Sequence, residues 1–249
     1  LYKIIPLQGG NLMGAKRKQR SRPAPQFSNI VNFPKKQQTV RLIPRNKNQE
    51  HYIIKLLSQE KDIVFGIGPA GTGKTLLAVQ AAVKYFKEGK VDKIIVTRPA
   101  VSVDENLGFL PGTLEQKMAP WTRPIFDVFR DYFTSQDIEG MIEEGIVEIA
   151  PLAYMRGRTF KKSYIIADEM QNATPSQMKM LLTRLGEGSF MAVTGDLAQA
   201  DRISDNGLID FTKLLEKTNS THLDIVYFTQ GDIERHQAVK EVLEVYGDE

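Results

Sequence analysis

Residues Gly68-Pro69-Ala70-Gly71-Thr72-Gly73-Lys74-Thr75 fit the pattern G-x-x-x-x-G-K-[ST] at every fixed position. An apolar run from Asp62 to Ile67 leads into them, and a helical pattern from about Lys74 to Phe86 leads out. Strand, glycine-rich turn and helix in that order form a cradle for phosphate. The glycines let backbone N–H groups converge without Cβ clashes. The helix turns its positive end to the same point. Lys74 is expected to bridge the β- and γ-phosphates of a nucleotide, and Thr75 to bind Mg²⁺ through its hydroxyl. ATP and Mg²⁺ are therefore the expected cofactors, held by the eight residues 68–75.

The rest of the periodicity agrees with that beginning. Strand patterns fall at 62–67, 93–97, 146–150, 163–167, 190–194 and 223–228. Helical patterns fall at 49–59, 74–86, 121–133, 136–144, 175–185, 206–217 and 233–245. Strands alternating with helices predict an α/β fold, a mainly parallel sheet covered on both faces. Turn signals stand at Leu110-Pro111-Gly112.

A phosphate loop needs an acid at the end of a neighbouring strand. Tyr164-Ile165-Ile166-Ala167-Asp168-Glu169 supplies it. Asp168 is expected to hold Mg²⁺, and Glu169 to orient or deprotonate a water, which favours hydrolysis over transfer to a metabolite. A further strand, Met191 to Thr194, ends in Gly195-Asp196 and is followed by Gln199. In a parallel sheet that end shares the rim with Lys74 and Asp168, so Thr194, Asp196 and Gln199 are candidates for sensing the γ-phosphate. Arg98 ends the strand of 93–97 on the same rim. Gln49 carries an amide able to read adenine. The guanine-reading Asn-Lys-x-Asp signature is absent; Asn46-Lys47-Asn48-Gln49 is a near miss in the wrong place.

Composition narrows the alternatives. There is no cysteine and there are three histidines, which removes Cys-ligated zinc, iron–sulfur clusters, disulfides and thiol nucleophiles. No run of eighteen apolar residues is present, and the order of charge and apolar residues at the N-terminus is the reverse of a secretory signal. No membrane association and a cytoplasmic location are expected. The net charge of +3 conceals an asymmetry: residues 1–49 hold eleven Lys/Arg and no acid, which leaves 22 basic against 30 acidic residues in the remainder. We read 1–44 as a basic, disordered or extended arm suited to a polyanion such as nucleic acid, and 45–249 as one catalytic domain.

The stretches NQEHYIIKLL, FGIGPAGTGKTLLAV, TRPAV, LGFLPGTLEQK, YMRGRTF, IIADEMQNATPSQMKMLLTRLG and TGDLAQAD occur in the order found in the PhoH-like family, and Gln230-Gly231-Asp232-Ile233-Glu234-Arg235-His236 resembles its C-terminal element. The resemblance implies a three-layer RecA-like P-loop NTPase core, related to the first motor domain of superfamily 1 helicases. Asp168-Glu169-Met170-Gln171 then stands for the Asp-Glu-x-Gln motif, and Gly195-Asp196-x-x-Gln199 for the next. About 205 residues after the arm make room for a single motor domain. The cation that a second domain would supply must come from elsewhere, which predicts a homo-oligomer, a ring with a hexamer favoured, with ATP at the interfaces. Arg184, Arg235, Arg158 and Arg156 are the candidates. The leading expectation is an ATPase acting on RNA or single-stranded nucleic acid. An ATP-dependent adapter and a small-molecule kinase are the alternatives.

Overall fold

The computed structural model describes residues 39–99, 114–200, 205–234 and 237–246. The elements in chain order are α1 (Lys47–Leu57), β1 (Ile63–Ile67), α2 (Lys74–Lys87), β2 (Lys93–Thr97), α3 (Leu114–Arg130), α4 (Ser135–Glu143), β3 (Val147–Ile149), β4 (Ser163–Ala167), α5 (Pro175–Leu182), β5 (Phe190–Gly195), α6 (Gly207–Leu215), β6 (Leu223–Tyr227) and α7 (Gln237–Tyr246). The strands form one sheet in the order β3-β2-β4-β5-β1-β6. Every pairing is parallel.

Alternation along the strands builds two cores. Val64, Ile94, Val96, Tyr164, Ile166 and Ala192 face one side, against α1, α2, α3 and α4. Ile63, Phe65, Ile95, Ile165, Met191 and Val193 face the other, against α5 and α6. β1 and β4 are buried along their whole length, as strands covered on both faces must be. The result is a three-layer RecA-like α/β fold.

Most expected elements fall within one or two residues of their observed bounds, and the larger differences have local causes. α3 begins at Leu114, seven residues before the expected start, because Pro120 and Pro124 lie inside it and hide its period. α5 stops at Leu182, where Thr183 caps it, rather than at 185. The last helix begins at Gln237 rather than 233, because a 3-10 turn occupies Gln230–Asp232. The signals at Leu110-Pro111-Gly112 and nearly all of the basic arm lie outside the described residues. Val40 is buried in the first core and Leu42 packs against it, so the folded body starts ahead of residue 45. Among the described residues no helix is long and apolar enough to cross a membrane.

Gly66 shows how tightly α1 is laid on the sheet. A Cβ there would stand 2.7 Å from the ring of Tyr52, which is fully buried edge-on against Phe228. Gly66→Ala is expected to destabilise the fold by about 1–3 kcal/mol through overpacking. Thermal denaturation should show the loss, and Tyr52→Leu in the same chain should recover part of it.

A second tie lies at the far edge. Arg158 pairs bidentately with Glu148 of β3, one N–H···O being 2.7 Å, and stacks on Phe160. The guanidinium holds the Glu148 carboxyl below the usual range. A lowered carboxylate pKa contributes stability above the unfolded value and loses it as pH falls through the folded one. Glu148→Gln should therefore cost about 0.5–1 kcal/mol near neutrality, the pair being partly exposed. Urea denaturation at a series of pH values should show that cost vanish below the ordinary glutamate range.

Candidate nucleotide site

The chain leaves β1 at Ile67 and turns through Gly68 to Gly73 into α2. Gly71 and Gly73 have φ of 82° and 81°, in the left-handed region that glycine enters without strain. Gly73 caps α2 with no side-chain bond, and no acid stands in the first helical turn. The N–H groups and dipole of that turn are therefore directed at whatever occupies the loop. Lys74 is buried. Its ammonium donates to the carbonyls of Gly68 and Pro69, both at 2.6 Å, and to Thr72 Oγ1 at 3.2 Å. Burial pushes its pKa below the usual lysine value, and the carboxylates of Asp196, Glu169 and Asp168 pull it back in part.

Sheet order places the acids. β5 lies between β1 and β4, so three strand ends meet beside the loop. Thr75 Oγ1 donates to Asp168 Oδ1 at 2.8 Å, and Thr194 Oγ1 of β5 donates to the same oxygen. A hydroxyl and a carboxylate are hard oxygen donors, a set suited to Mg²⁺ completed by phosphate and water. Among the described residues no cluster of three His, Asp or Glu could hold a metal by itself, so Thr75 and Asp168 would hold Mg²⁺ only together with its substrate. The metal would supply charge to neutralise phosphate oxygens.

Glu169 takes a left-handed backbone, φ 55°, which turns its side chain off the line of β4. Gln171 Nε2 donates to Glu169 Oε2 at 2.5 Å, while Gln171 Oε1 accepts the N–H of Asp196 at 3.1 Å. The buried amide thus fixes the acid relative to β5. Asn206 supports it by donating to the Gln171 carbonyl at 2.6 Å. Asp196 in turn accepts the N–H of Ala70 at 3.2 Å, joining β5 to the phosphate loop. Lys74, Thr75, Asp168, Glu169, Asp196 and Gln199 line one cavity of about 260 Å³. A second, of about 460 Å³, opens on the other side of Gly71 and Gly73, between Arg41, Arg45, Leu76, Gln80 and Glu234.

Two expected residues have side chains engaged with backbone atoms. Gln49 borders the second cavity, but its amide is engaged with the backbone: Nε2 donates to Thr72 O at 3.1 Å and Oε1 accepts the N–H of Arg45 at 2.9 Å. Its role in the structure is to hold the loop. Arg184 lies away from both cavities, its guanidinium donating to the carbonyls of Met180 and Arg158. Arg158 is paired with Glu148 and Arg156 is exposed, while Arg235 lies outside the described residues. The contacts of Gln171, Asn206 and Asp196 had no counterpart in the sequence reading. Gln171 and Asp196 carry a signal through their places in the Asp-Glu-x-Gln and Gly-Asp-x-x-Gln motifs, and Asn206 carries none.

The family described as PhoH-like protein matches residues 41–247. The chain belongs to the PhoH-like family. It is 47% identical over 204 residues to the PhoH-like protein of Bacillus subtilis, covering 81% of this chain and 63% of that one. It is 41% identical over 209 residues to Protein PhoH of Escherichia coli K12, covering 82% and 58%. The chain thus spans about three-fifths of the length of the curated relatives it matches. Among solved structures, the UvsW helicase from Bacteriophage T4 aligns at a TM-score of 0.44 with 14% identity, over 75% of this chain and 61% of that one. That likeness is loose; the all-parallel sheet order defines the fold. The phosphate loop and acid strand of this PhoH-like chain are thus placed as a P-loop nucleotide site requires.

Gln171→Ala should release Glu169 while leaving the phosphate loop intact. Nucleotide turnover is expected to fall about tenfold or more with binding affinity nearly unchanged. Steady-state phosphate release alongside equilibrium binding of a fluorescent nucleotide checks both halves.

Proposed function

We propose that the chain hydrolyses ATP with Mg²⁺ and couples this to RNA or single-stranded nucleic acid, as a homo-oligomer of ring type. The observation that carries the hydrolytic part is Glu169, held by Gln171 at the mouth of the cavity where Thr75 meets Asp168. A carboxylate fixed there, with no acceptor pocket needed, suits the activation of water. Lys74 and the loop amides grip the phosphates, and Thr75 with Asp168 hold the metal. Adenine is preferred on the absence of a guanine signature. The eleven basic residues ahead of residue 50 support a polyanionic partner.

The oligomer is inferred from an incomplete charge balance. Among the described residues no arginine of the acid-strand side lines the 260 Å³ cavity. A cation from a neighbouring copy would complete it, and such a residue contributes roughly 10³–10⁵ in rate. Arg156, exposed after the 3-10 turn Leu152–Met155, and Arg235 are the residues to test first. Arg184 has its backbone contacts to keep.

Phosphate release by the parent, Lys74→Ala and Glu169→Gln, with and without RNA or single-stranded DNA at fixed salt, tests the reading. Lys74→Ala should lose binding. Glu169→Gln should keep ATP but turn over about 10²-fold more slowly. Oligonucleotide should speed the parent, with an effect that fades as salt rises. Equal rates for Glu169→Gln and the parent would remove the hydrolytic role. Mixing Lys74→Ala with Arg156→Ala or Arg235→Ala should restore some turnover if the cation acts across subunits.

A further inference from the structure

The phosphate loop has an outer face as well as an inner one, and that face is held by two segments far apart in sequence. Thr72 O accepts the amide N–H of Gln49 at 3.1 Å, and Gly71 O accepts the backbone N–H of Glu234 at 3.0 Å. In a trans peptide the C=O and the following N–H point in opposite directions. Fixing those two oxygens on the outside therefore turns the N–H groups of Thr72 and Gly73 to the opposite side of the loop.

The two holding segments are joined to each other by one buried acid. Asp232 ends the 3-10 turn after β6 and is 7% exposed. Its Oδ2 accepts Asn48 Nδ2 at 2.7 Å, the N–H of Thr229 at 2.7 Å and Thr229 Oγ1 at 3.0 Å. Its backbone carbonyl accepts Asn46 Nδ2 at 3.3 Å. Asn46 also caps α1, accepting the N–H of Gln49 at 2.8 Å. One carboxylate thus ties the first turn of α1, which carries Gln49, to the strand end that delivers Glu234.

We infer that Asp232 is a positioning residue for the nucleotide, acting through Asn48 and the Glu234 N–H to set the peptide planes of the phosphate loop. This rests on the ATP-binding reading above and adds a residue that touches no phosphate. The Asn46–Gln49 stretch, a near miss for base recognition in sequence, is on this account part of the loop's outer support.

The test reverses the pair. Asn48→Asp sets a second carboxylate against Asp232 with little change in volume. Asn48→Asp combined with Asp232→Asn restores one acceptor and one donor in exchanged places. Equilibrium binding of a fluorescent ATP analogue with Mg²⁺ is measured together with KM, kcat and the thermal midpoint. Asn48→Asp should weaken binding and raise KM on the order of tenfold, as expected for a charge-assisted bond turned repulsive. In the same chain kcat should stay within about twofold, since the catalytic groups are untouched. The exchanged pair should recover most of the affinity. Asn48→Ala removes the donor alone, and decides the matter by a few-fold loss if Asn48→Asp does not fold. Parental affinity in Asn48→Asp or Asn48→Ala, failure of the exchanged pair to recover, or a fall in kcat with KM unchanged would each overturn the inference while the parent still binds ATP. A parent that binds no ATP would instead overturn the nucleotide reading, and this inference with it.

Discussion

One carboxylate oxygen, Asp168 Oδ1, receives hydroxyls from Thr75 and Thr194. The three residues come from the helix after the phosphate loop, the strand of the acid and the strand between them. They meet because β5 lies between β1 and β4, with all three strands parallel. The sheet order is thus what converts three separate strand ends into one site. The buried apolar alternation fixes the register within that order, since a slip of one residue in β4 would exchange its two cores and turn Asp168 away.

Around that junction the supporting bonds run outward in layers. Gln171 ties Glu169 to Asp196, and Asp196 reaches the N–H of Ala70 on the loop. Gln49 and Glu234 hold the loop from behind. The phosphate loop is therefore gripped from β5 on one side and from α1 and the β6 end on the other. Strain is confined to one place among these residues, the left-handed backbone of Glu169. A strained residue kept by a buried amide is the arrangement expected where a side chain must be aimed rather than merely packed.

The fold was legible because its strands are short, apolar and separated by clear helical periods. Lys74, Thr75, Asp168 and Glu169 were legible because their motifs sit on strand ends, where a parallel sheet gathers them. The prolines of α3 hid a helical start, and the 3-10 turn at Gln230–Asp232 delayed the last helix. The contacts of Gln49 and Asn206 were not legible, because a side-chain amide that bonds to a distant backbone leaves no periodic trace, and Gln171 shows in sequence only through its motif. The bonds of Arg184 to the Met180 and Arg158 carbonyls are hidden for the converse reason: an arginine next to a helix end looks the same in sequence whether it faces a neighbour or nearby carbonyls.

On the proposed function, tight nucleotide binding depends on Asp168 joining a metal to Thr75 at the end of the phosphate loop. The direct test is equilibrium binding of ATP to the parent and to Asp168→Asn, each titrated with Mg²⁺. The parent should bind more tightly as Mg²⁺ is added, and Asp168→Asn should bind with an affinity that Mg²⁺ hardly changes. An identical Mg²⁺ response in the two chains would contradict it.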